Sequence, residues 1–570
     1  MKKKLISLLL TGTMILSIAG CGGSNGEDSQ SQAVGAEETQ KTENNAAGSS
    51  ETAGNSEAAA GGETTVPATA DDFTYPMEPI TFTFNGSGSG GTDYYDDSEH
   101  PAWAKDIYIH KVVRDKTGVS LTDVGGQSSS TTMSEQFLLM LASGNLPDII
   151  NAPWNAYAGG AAAAIEEGYI VDMMDYADCI PNLLKYLDEN PEIAAQVFTP
   201  DGKLGFAPYI KANPIPEMGL VIRKDWLDEV NMEPPITIDE MHDVLVAFKE
   251  KYNCKSPLTF EARWLFQQGS ANPLSSPWNT TYQEYILDGE VQFGPLTEEY
   301  REFITTLAQW YKEGLLDPDF ASVDKSTVQA KFSNGDAGVS IQQSSNILNC
   351  VNANEGTGYE VIALESLVMN KGDEPEFAQQ SIQHYDGGMC YAVSTTCSDI
   401  EAACRYLDWR FSEEGIMTLN YGIEGVTYEI VNGEVQLTDL IMHNEETPIA
   451  NTARDEIAKN RNRAGIATDI SLAYTDSQKE WIDIWTAHMD KYLLPTVPYT
   501  AEEQEIIGKN WGNVDDYCQE MILKYIVGSA DISEWDSLVD TIKGMEIDKV
   551  LAAKQEAYDN YLKKVEELKK

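Results

Sequence analysis

The segment Gly219-Leu-Val-Ile-Arg223, which continues directly into Lys-Asp225-Trp-Leu-Asp-Glu229, decides the fold class of this 570-residue chain. The apolar run predicts a strand, and the chain passes from it into a helix at Asp225. The same succession recurs at 389–393, a predicted strand, and 400–411, a predicted helix. Strands that alternate with helices predict an α/β protein with mainly parallel sheets.

Elements on either side of this segment extend the alternation. Residues 79–85 alternate like a strand, and a strand begins within 146–150. The S/T-x-x-E pattern of a capping box predicts helix starts at Thr237 and Thr500. Helical stretches are predicted at 103–117, 134–143, 161–176, 298–313, 511–527 and 549–568. The globular composition runs from about Phe73 to Lys570, which is too long for one ordinary core, so at least two lobes are expected.

The amino terminus has the layout of a secretory signal. Three lysines precede the apolar stretch Leu5–Ile18, which is too short for a membrane span. The stretch ends Ile18-Ala-Gly-Cys21, which resembles a lipobox, where the cysteine receives lipid and the chain is cut before it. We therefore expect a signal peptide at 1–20 and a lipid anchor on Cys21, with an ordinary signal peptide as the alternative.

The next part of the chain is poor in apolar residues. No aromatic residue occurs between Cys21 and Phe73, and Gly, Ser, Ala, Thr and Glu dominate. Such a composition cannot bury enough surface to offset chain entropy, so 21–75 is predicted to be a lipidated, disordered tether. A tether behind a lipid fits the extracellular face of a Gram-positive-type cell membrane.

The charge balance narrows the ligand classes. Lysine and arginine total 39 against 91 acidic residues, which gives a formal net charge of −52. Such a chain repels nucleic acid, and we predict no nucleic-acid partner. A polyanionic ligand would need a local basic pocket, so a neutral or cationic ligand is favoured. Solubility alone is the competing explanation of the acidity.

The cysteines indicate neither a metal site nor a redox motif. Apart from Cys21, an odd number remain, and none forms a C-x-x-C pair. Cys390, Cys397 and Cys404 are spaced by seven, but the simpler interpretation is that buried thiols act as small hydrophobes. The histidines also form no H-E-x-x-H or other close ligand pair.

Several short motifs occur in an order that resembles a known family. They are Ala142-Ser-Gly-Asn-Leu-Pro-Asp148-Ile, Arg223-Lys-Asp-Trp-Leu-Asp-Glu, Phe332-Ser-Asn-Gly335, Tyr421-Gly-Ile-Glu424-Gly425, Leu494-Pro-Thr-Val-Pro-Tyr-Thr-Ala-Glu-Glu503, Tyr525-Ile-Val-Gly528, Trp535-Asp536 and Ala557-Tyr558-Asp-Asn-Tyr561. Together they resemble the extracellular solute-binding proteins of the family-1 carbohydrate type, and most closely the large lipoprotein receptors of Gram-positive bacteria.

This resemblance implies a two-lobed, periplasmic-binding-protein-like fold of the class II type, with the ligand cleft between the lobes. Lobe 1 would take 76–210 plus 388–490, and lobe 2 would take 211–387 plus 491–570. It implies a monomeric receptor that binds an oligosaccharide or related neutral saccharide by lobe closure and delivers it to the transmembrane subunits of an ABC permease. It implies no cofactor and no catalytic residue, and contact with the membrane through the lipid anchor alone.

The chain departs from the family at one loop. Some relatives carry a calcium loop rich in Asp, Asn and Gly after the corresponding Phe-Lys helix. Here the stretch Phe248-Lys-Glu-Lys-Tyr-Asn-Cys-Lys-Ser-Pro257 has one acidic residue and three lysines. Calcium requires several oxygen ligands, chiefly carboxylates, so we expect no calcium at this position.

Candidate ligand residues follow from the chemistry of sugars, which present flat C–H faces and rings of hydroxyl groups. Aromatic rings meet the faces, and polar side chains meet the hydroxyls. Loops after strand-like runs are favoured, because clefts of open α/β sheets form there. The candidates are Asn85, Trp154, Trp264, Trp278, Gln342, Tyr385 and Asp386. Core packing is the alternative for each tryptophan, and it is preferred for the helical ones, Trp226, Trp310, Trp409, Trp485 and Trp535.

Two other functions stay open at this stage. The abundance of carboxylates is compatible with the acid pair of a surface glycoside hydrolase. A sugar-sensing subunit of a signalling system would have the same sequence features as a transport receptor.

Overall fold

The computed structural model describes residues 73–85, 100–124, 133–154, 157–267, 272–377, 383–385, 387–388, 390–457, 464–468 and 470–570. All of them belong to one compact unit, Val66–Lys570. The predicted signal peptide, Cys21 and most of the predicted tether lie outside the described residues. Within the described ranges, no helix combines the length and apolarity that a membrane span requires.

Strands and helices alternate through the described part of the chain. The strands are β1 (Ile80–Phe84), β2 (Val119–Asp123), β3 (Ile149–Ala152), β4 (Tyr209–Lys211), β5 (Met218–Arg223), β6 (Leu258–Thr259), β7 (Glu284–Leu287), β8 (Glu290–Phe293), β9 (Val339–Gln343), β10 (Val361–Ala363), β11 (Cys390–Val393), β12 (Tyr428–Val431), β13 (Glu434–Leu437) and β14 (Gly465–Ala467).

The helices of the first half are α1 (Ile109–Thr117), α2 (Met133–Ser143), α3 (Gly160–Glu166), α4 (Pro181–Glu189), α5 (Pro191–Val197), α6 (Lys224–Val230), α7 (Ile238–Tyr252) and α8 (Asn272–Ser275). Those of the second half are α9 (Glu298–Glu313), α10 (Lys325–Asn334), α11 (Ser344–Ala353), α12 (Ile400–Trp409), α13 (Glu413–Tyr421), α14 (Asp439–Met442), α15 (Ala450–Ile457), α16 (Asp476–Thr486), α17 (Ala501–Ile526), α18 (Trp535–Gly544) and α19 (Ile547–Leu568).

The local signals in the sequence placed several helix ends correctly. Both predicted capping boxes are formed, at Thr237 before α7 and at Thr500 before α17. Gly314 ends α9 in the left-handed conformation, at φ 69°. The helix predicted over 103–117 begins only at Ile109, because Tyr108 before it is extended.

The first sheet has the strand order β11-β3-β1-β2. Strands β1, β2 and β3 are parallel, and β11 runs antiparallel to β3. The Asp148 carboxylate joins β1 to the segment before α12, since it accepts hydrogen bonds from the backbone and hydroxyl of Thr83 (2.7 and 2.6 Å) and from the Ser398 backbone (2.8 Å). Burial opposes its charge, yet these donors hold the pKa of Asp148 below its usual value.

The second sheet has the strand order β10-β5-β9-β6. Here only β6 and β9 are parallel, whereas β5 runs antiparallel to both β9 and β10. The prediction of mainly parallel sheets therefore holds for the first sheet and is wrong for the second. The reason is connectivity: β5 enters its sheet from the first lobe and so runs against the strands that follow it.

Each sheet lies within its own apolar core, so the predicted α/β fold with two lobes is confirmed. The five tryptophans expected in helices to pack inside are all buried, with at most 5% of the residue exposed. The cysteines of the described residues are free, and all but Cys397 are buried, as expected for small hydrophobes.

Helix α16 packs on the second sheet. Its Trp481, Ile482 and Trp485 form an apolar cluster with Val221 of β5 and Phe332 of α10. The sequence-based division had placed this helix with lobe 1, and the division as a whole stays a prediction.

The chain crosses between the two sheets in neighbouring segments that hydrogen-bond to each other. Strands β4 and β14 pair in parallel, and the Lys211 backbone donates to the His384 carbonyl at 2.8 Å. The Gln383 side chain accepts from the Thr496 backbone at 2.8 Å, and the Thr496 carbonyl accepts from the Gln196 side chain at 2.9 Å. These bonds join the crossing segments to one another.

Candidate functional site

The carboxyl ends of parallel strands mark the candidate site on each lobe, because crevices of open α/β sheets form outside those ends. In the first sheet, β1, β2 and β3 end at a common edge, and antiparallel β11 begins there. In the second sheet, parallel β6 and β9 point to the same edge, β9 extends three residues further than β6, and antiparallel β5 begins beside the end of β9.

Two asparagines face each other at the edge of the first sheet. The Asn85 amide donates to the Asn151 carbonyl at 2.9 Å, and the Asn151 backbone donates to Asn85 Oδ1 at 2.7 Å. The Asn85 side chain is thereby occupied in joining β1 to β3. Asn151 is only 3% exposed, and its side-chain oxygen has no hydrogen-bond partner. A buried acceptor without a partner costs free energy unless a ligand or water supplies a donor.

Trp154 lies below this edge and not on its surface. The residue is 1% exposed, and its ring packs edge-on against Phe137, with the ring centroids 5.1 Å apart. The faces of its ring are therefore buried in the first core and are not open for stacking on a sugar. The indole Nε1 is buried without a partner, so it is a second unsatisfied polar atom at the same edge.

Tyr385 also belongs to the first core. It is 2% exposed, and its ring lies nearly parallel to that of Phe206 at 6.3 Å. Asp386, its neighbour among the predicted ligand residues, lies outside the described residues.

Gln342 stands near the end of β9 at the edge of the second sheet. It is 4% exposed, and its side-chain Nε2 has no hydrogen-bond partner. Its partner in the ladder is Gly219 of β5, where a Cβ would come within 2.5 Å of the Trp485 indole. Glycine is thus required at 219, because the indole covers the strand directly.

The loop after β6 carries a charged group and an aromatic ring in contact. The Arg263 guanidinium lies 4.1 Å from the centre of the Trp264 ring. It is held by Glu261 through an ion pair, with Nε 2.7 Å from Oε2, and through a hydrogen bond from Nη2 to Oε1 at 3.0 Å. The Glu261 side chain is 11% exposed and that of Arg263 is 50% exposed. One face of Trp264, a predicted platform, is therefore already covered by Arg263.

Trp278 lies away from the strand ends. It closes a short turn of helix after α8, and its ring contacts Phe303 of α9 with the centroids 5.7 Å apart. It packs against the second core and is not brought together with Gln342.

The structure adds Asn151, Glu261 and Arg263 to the residues predicted from sequence. A polar residue directly after an apolar run, as in Ile149-Ile-Asn151, was an available signal for the first. No sequence pattern indicated the Glu261–Arg263 pair, since only the folded loop brings the carboxylate and the guanidinium into contact.

Two cavities bounded by described residues lie elsewhere. One of about 1190 Å³ is lined by 73–80, 174–179 and the start of α12, at the amino end of β1. The other, of about 300 Å³, lies between α5 and α19. No group of His, Cys, Asp or Glu side chains in the described part of the chain could hold a metal ion.

Comparison with known families gives a match over more than half of the chain. The family model described as bacterial extracellular solute-binding protein matches residues 104–417. Among curated relatives, the polygalacturonan/rhamnogalacturonan-binding protein YtcQ of Bacillus subtilis is 28% identical over 303 residues, which cover 50% of this chain and 57% of YtcQ. The chain thus spans little more than half the length of this relative.

A second relative matches over nearly its full length. The fructooligosaccharide ABC transporter substrate-binding protein FusA of Streptococcus pneumoniae serotype 4 is 24% identical over 535 residues, which cover 86% of this chain and 94% of FusA.

Solved structures share the fold. The alginate-binding protein AlgQ2, solved without calcium ion, superimposes with a TM-score of 0.67 at 26% identity, covering 85% of this chain and 98% of its own. FusA in complex with kestose gives a TM-score of 0.66 at 20% identity, covering 85% and 99%. Both likenesses extend over the two sheets, which supports the two-lobed architecture.

Proposed function

Because the chain belongs to the bacterial extracellular solute-binding proteins, we propose that it is the substrate-binding lipoprotein of an ABC importer. It captures an oligosaccharide or a related neutral saccharide between its lobes and delivers it to a membrane permease. It binds this ligand and releases it chemically unchanged.

Unpartnered polar atoms at both strand edges carry the proposal. The Asn151 side-chain oxygen accepts, and the Trp154 and Gln342 nitrogens donate, yet none of the three has a partner. All three residues are more than nine-tenths buried. A hydroxyl group can donate and accept at once, so a saccharide suits a mixed set of donors and acceptors.

Placement of these atoms on two lobes favours binding by closure. Asn151 lies near the end of β3 in the first sheet, Trp154 follows that strand, and Gln342 lies near the end of β9 in the second sheet. A ligand that contacts both edges stabilises the closed arrangement, because it makes all of its contacts only there. The hydrogen-bonded crossing segments supply the turning point.

The printed names of the relatives support the ligand class. YtcQ is named for polygalacturonan and rhamnogalacturonan, FusA for fructooligosaccharide and AlgQ2 for alginate. All three names describe carbohydrate polymers or oligomers, and FusA is named as part of an ABC transporter. Polygalacturonan and alginate carry carboxylates whereas fructooligosaccharide is neutral, so the names support a saccharide ligand and not its charge.

The anchor forms a separate part of the proposal. The lipobox-like Ile18-Ala-Gly-Cys21 would place a lipid on Cys21, with the polar stretch after it as the tether on the outer face of the membrane. In the producing bacterium, Cys21→Ser should release the protein into the medium or leave it unprocessed. A Cys21→Ser protein that still carries lipid and stays with membranes after an alkaline wash would contradict the anchor.

A binding screen tests the ligand class. A ligand that binds only the folded state raises the melting temperature by mass action. We expect neutral tri- and tetrasaccharides to do so and peptides not to, and the bound sugar to be recovered at its original length. Melting shifts with peptides and with no saccharide would overturn the proposal, and release of new reducing ends would indicate a hydrolase instead.

A further inference from the structure

We infer that Arg263 is a ligand-binding residue whose positive charge is neutralised by Glu261, so that the site prefers neutral saccharides over uronic-acid saccharides. This inference rests on the proposed function, since it assigns a residue and a substrate preference to the same strand edge.

The location of Arg263 supports a role in binding. It lies in the loop that follows β6, and β6 and β9 end at the same edge. Gln342, with its unpartnered amide nitrogen, stands near the end of β9. The Arg263 side chain is half exposed, whereas its partner Glu261 is almost buried beneath it. The guanidinium is thus the outer member of the pair.

The orientation of the guanidinium is set from two sides. Glu261 engages Nη2 through a hydrogen bond and Nε through a close ion-pair contact, and the Trp264 ring covers one face. Within the described residues, Nη1 has no hydrogen-bond partner, so its two N–H groups are available to a ligand. Because the group is already held in place, little side-chain freedom is lost when a ligand binds. Two N–H groups in one plane suit neighbouring oxygens of a sugar ring.

Glu261 makes Arg263 favour the hydroxyl oxygens of a ligand over its carboxylate oxygens. A bare guanidinium at a binding edge would favour carboxylates, which it binds in a bidentate manner. Here the two groups that make such a fork are occupied, and the Glu261 carboxylate cancels the positive charge. A uronate would meet one remaining nitrogen beside a buried negative charge, whereas neutral hydroxyls meet no such repulsion. Arg263 therefore donates to the ligand, and Glu261 positions it and excludes anions.

Three variants separate these roles. Arg263→Ala removes the donor, Arg263→Lys keeps a charge without the planar donor pair, and Glu261→Gln keeps the shape but frees the positive charge. Arg301→Ala is the matched control, because Arg301 forms ion pairs with Glu298 and Asp536 and has no contact with this loop. Binding is measured by calorimetry with a panel of neutral tri- and tetrasaccharides and with trigalacturonate, and melting temperatures are taken without ligand.

Wild-type protein should bind a neutral member of the panel more tightly than trigalacturonate. Arg263→Ala and Arg263→Lys should weaken binding of that neutral ligand about ten-fold or more, as expected for a lost hydrogen bond from a charged group. Arg263→Lys keeps the counter-ion of Glu261, so its melting temperature should stay close to wild type, whereas Arg263→Ala should melt at a lower temperature. Glu261→Gln should raise the affinity for trigalacturonate relative to the neutral ligand by about ten-fold, which a merely structural carboxylate would not do. Arg301→Ala should leave both affinities unchanged.

The possible failures are distinguishable. If no saccharide of either kind binds the wild type, the proposed function fails and the inference falls with it. If neutral saccharides bind equally well to wild type and to both Arg263 variants, the function stands and Arg263 is not a ligand residue. Tight trigalacturonate binding by the wild type, or an unchanged preference in Glu261→Gln, would overturn the role of Glu261.

Discussion

The ion pair between Lys554 of α19 and Glu284 of β7 provides a sharp test of how the C-terminal helices are held. The Lys554 ammonium contacts the Glu284 carboxylate and lies 4.2 Å from the centre of the Trp511 ring. The two side chains are 11% and 7% exposed. Burial by itself lowers the pKa of Lys554, but Glu284, Tyr499 and Asp515 together outweigh burial, and the pKa is raised. Lys554 therefore carries its positive charge at neutral pH.

The magnitude follows from what each substitution leaves behind. Lys554→Met keeps the apolar stem against Trp511 but leaves the Glu284 carboxylate buried without its counter-ion. Removing one partner of a buried pair costs about 3–5 kcal/mol of the free energy of unfolding. The double variant Lys554→Met with Glu284→Leu leaves no unpaired charge, so it should cost no more than about 1 kcal/mol, since apolar replacements of buried pairs are often neutral.

The assay is urea unfolding at pH 7, followed by tryptophan fluorescence. Lys549→Met is the control, because its pair with Glu546 has side chains 61% and 42% exposed and should contribute less than about 1 kcal/mol. The reasoning is refuted if Lys554→Met destabilises the protein no more than Lys549→Met does. It is also refuted if the double variant is as unstable as the single one.

Three further predictions concern positions inside the lobes. Trp154→Ala should lower the free energy of unfolding by about 3–5 kcal/mol, because the ring is fully buried, and an unchanged melting temperature would restore its role as a surface platform. Gly219→Ala should cost about 1–3 kcal/mol in thermal unfolding, since a Cβ there meets the Trp485 indole at 2.5 Å, and an unaffected variant would show that the indole moves freely. Burial raises the pKa of Asp408 to about 6, so the folded state holds this proton more tightly than the unfolded state. The contribution of Asp408 to the free energy of unfolding is therefore present below about pH 4 and is lost as the pH rises through about 6. In urea unfolding, this group should lower the free energy of unfolding of the wild type by up to about 3 kcal/mol between pH 4 and pH 7, and Asp408→Asn should not show that decrease. Parallel pH profiles for Asp408→Asn and wild type would contradict that assignment.

Local signals were sufficient for the elements and for the fold class. The capping boxes at Thr237 and Thr500 and the glycine at 314 act within one turn of helix, so the residues themselves specify where those helices begin or end. The alternation of strands and helices likewise predicted the α/β class, and the length of the globular part predicted at least two lobes. The direction of β5 could not be predicted from the sequence, because it depends on the lobe from which the chain enters the sheet.

The candidate site shows the same limit at the level of side chains. The sequence by itself indicated which stretches end at strand edges and so selected Asn85, Trp154 and Gln342, whereas Trp264 was selected as an aromatic residue in an irregular stretch. Only the tertiary structure decided what each side chain does there. Trp154 became part of a core because Phe137 packs against its ring, and Trp264 became the support of a guanidinium because Glu261 holds Arg263 over it. Backbone elements follow from interactions between near neighbours in the chain, whereas burial and charge balance depend on residues that only folding brings into contact.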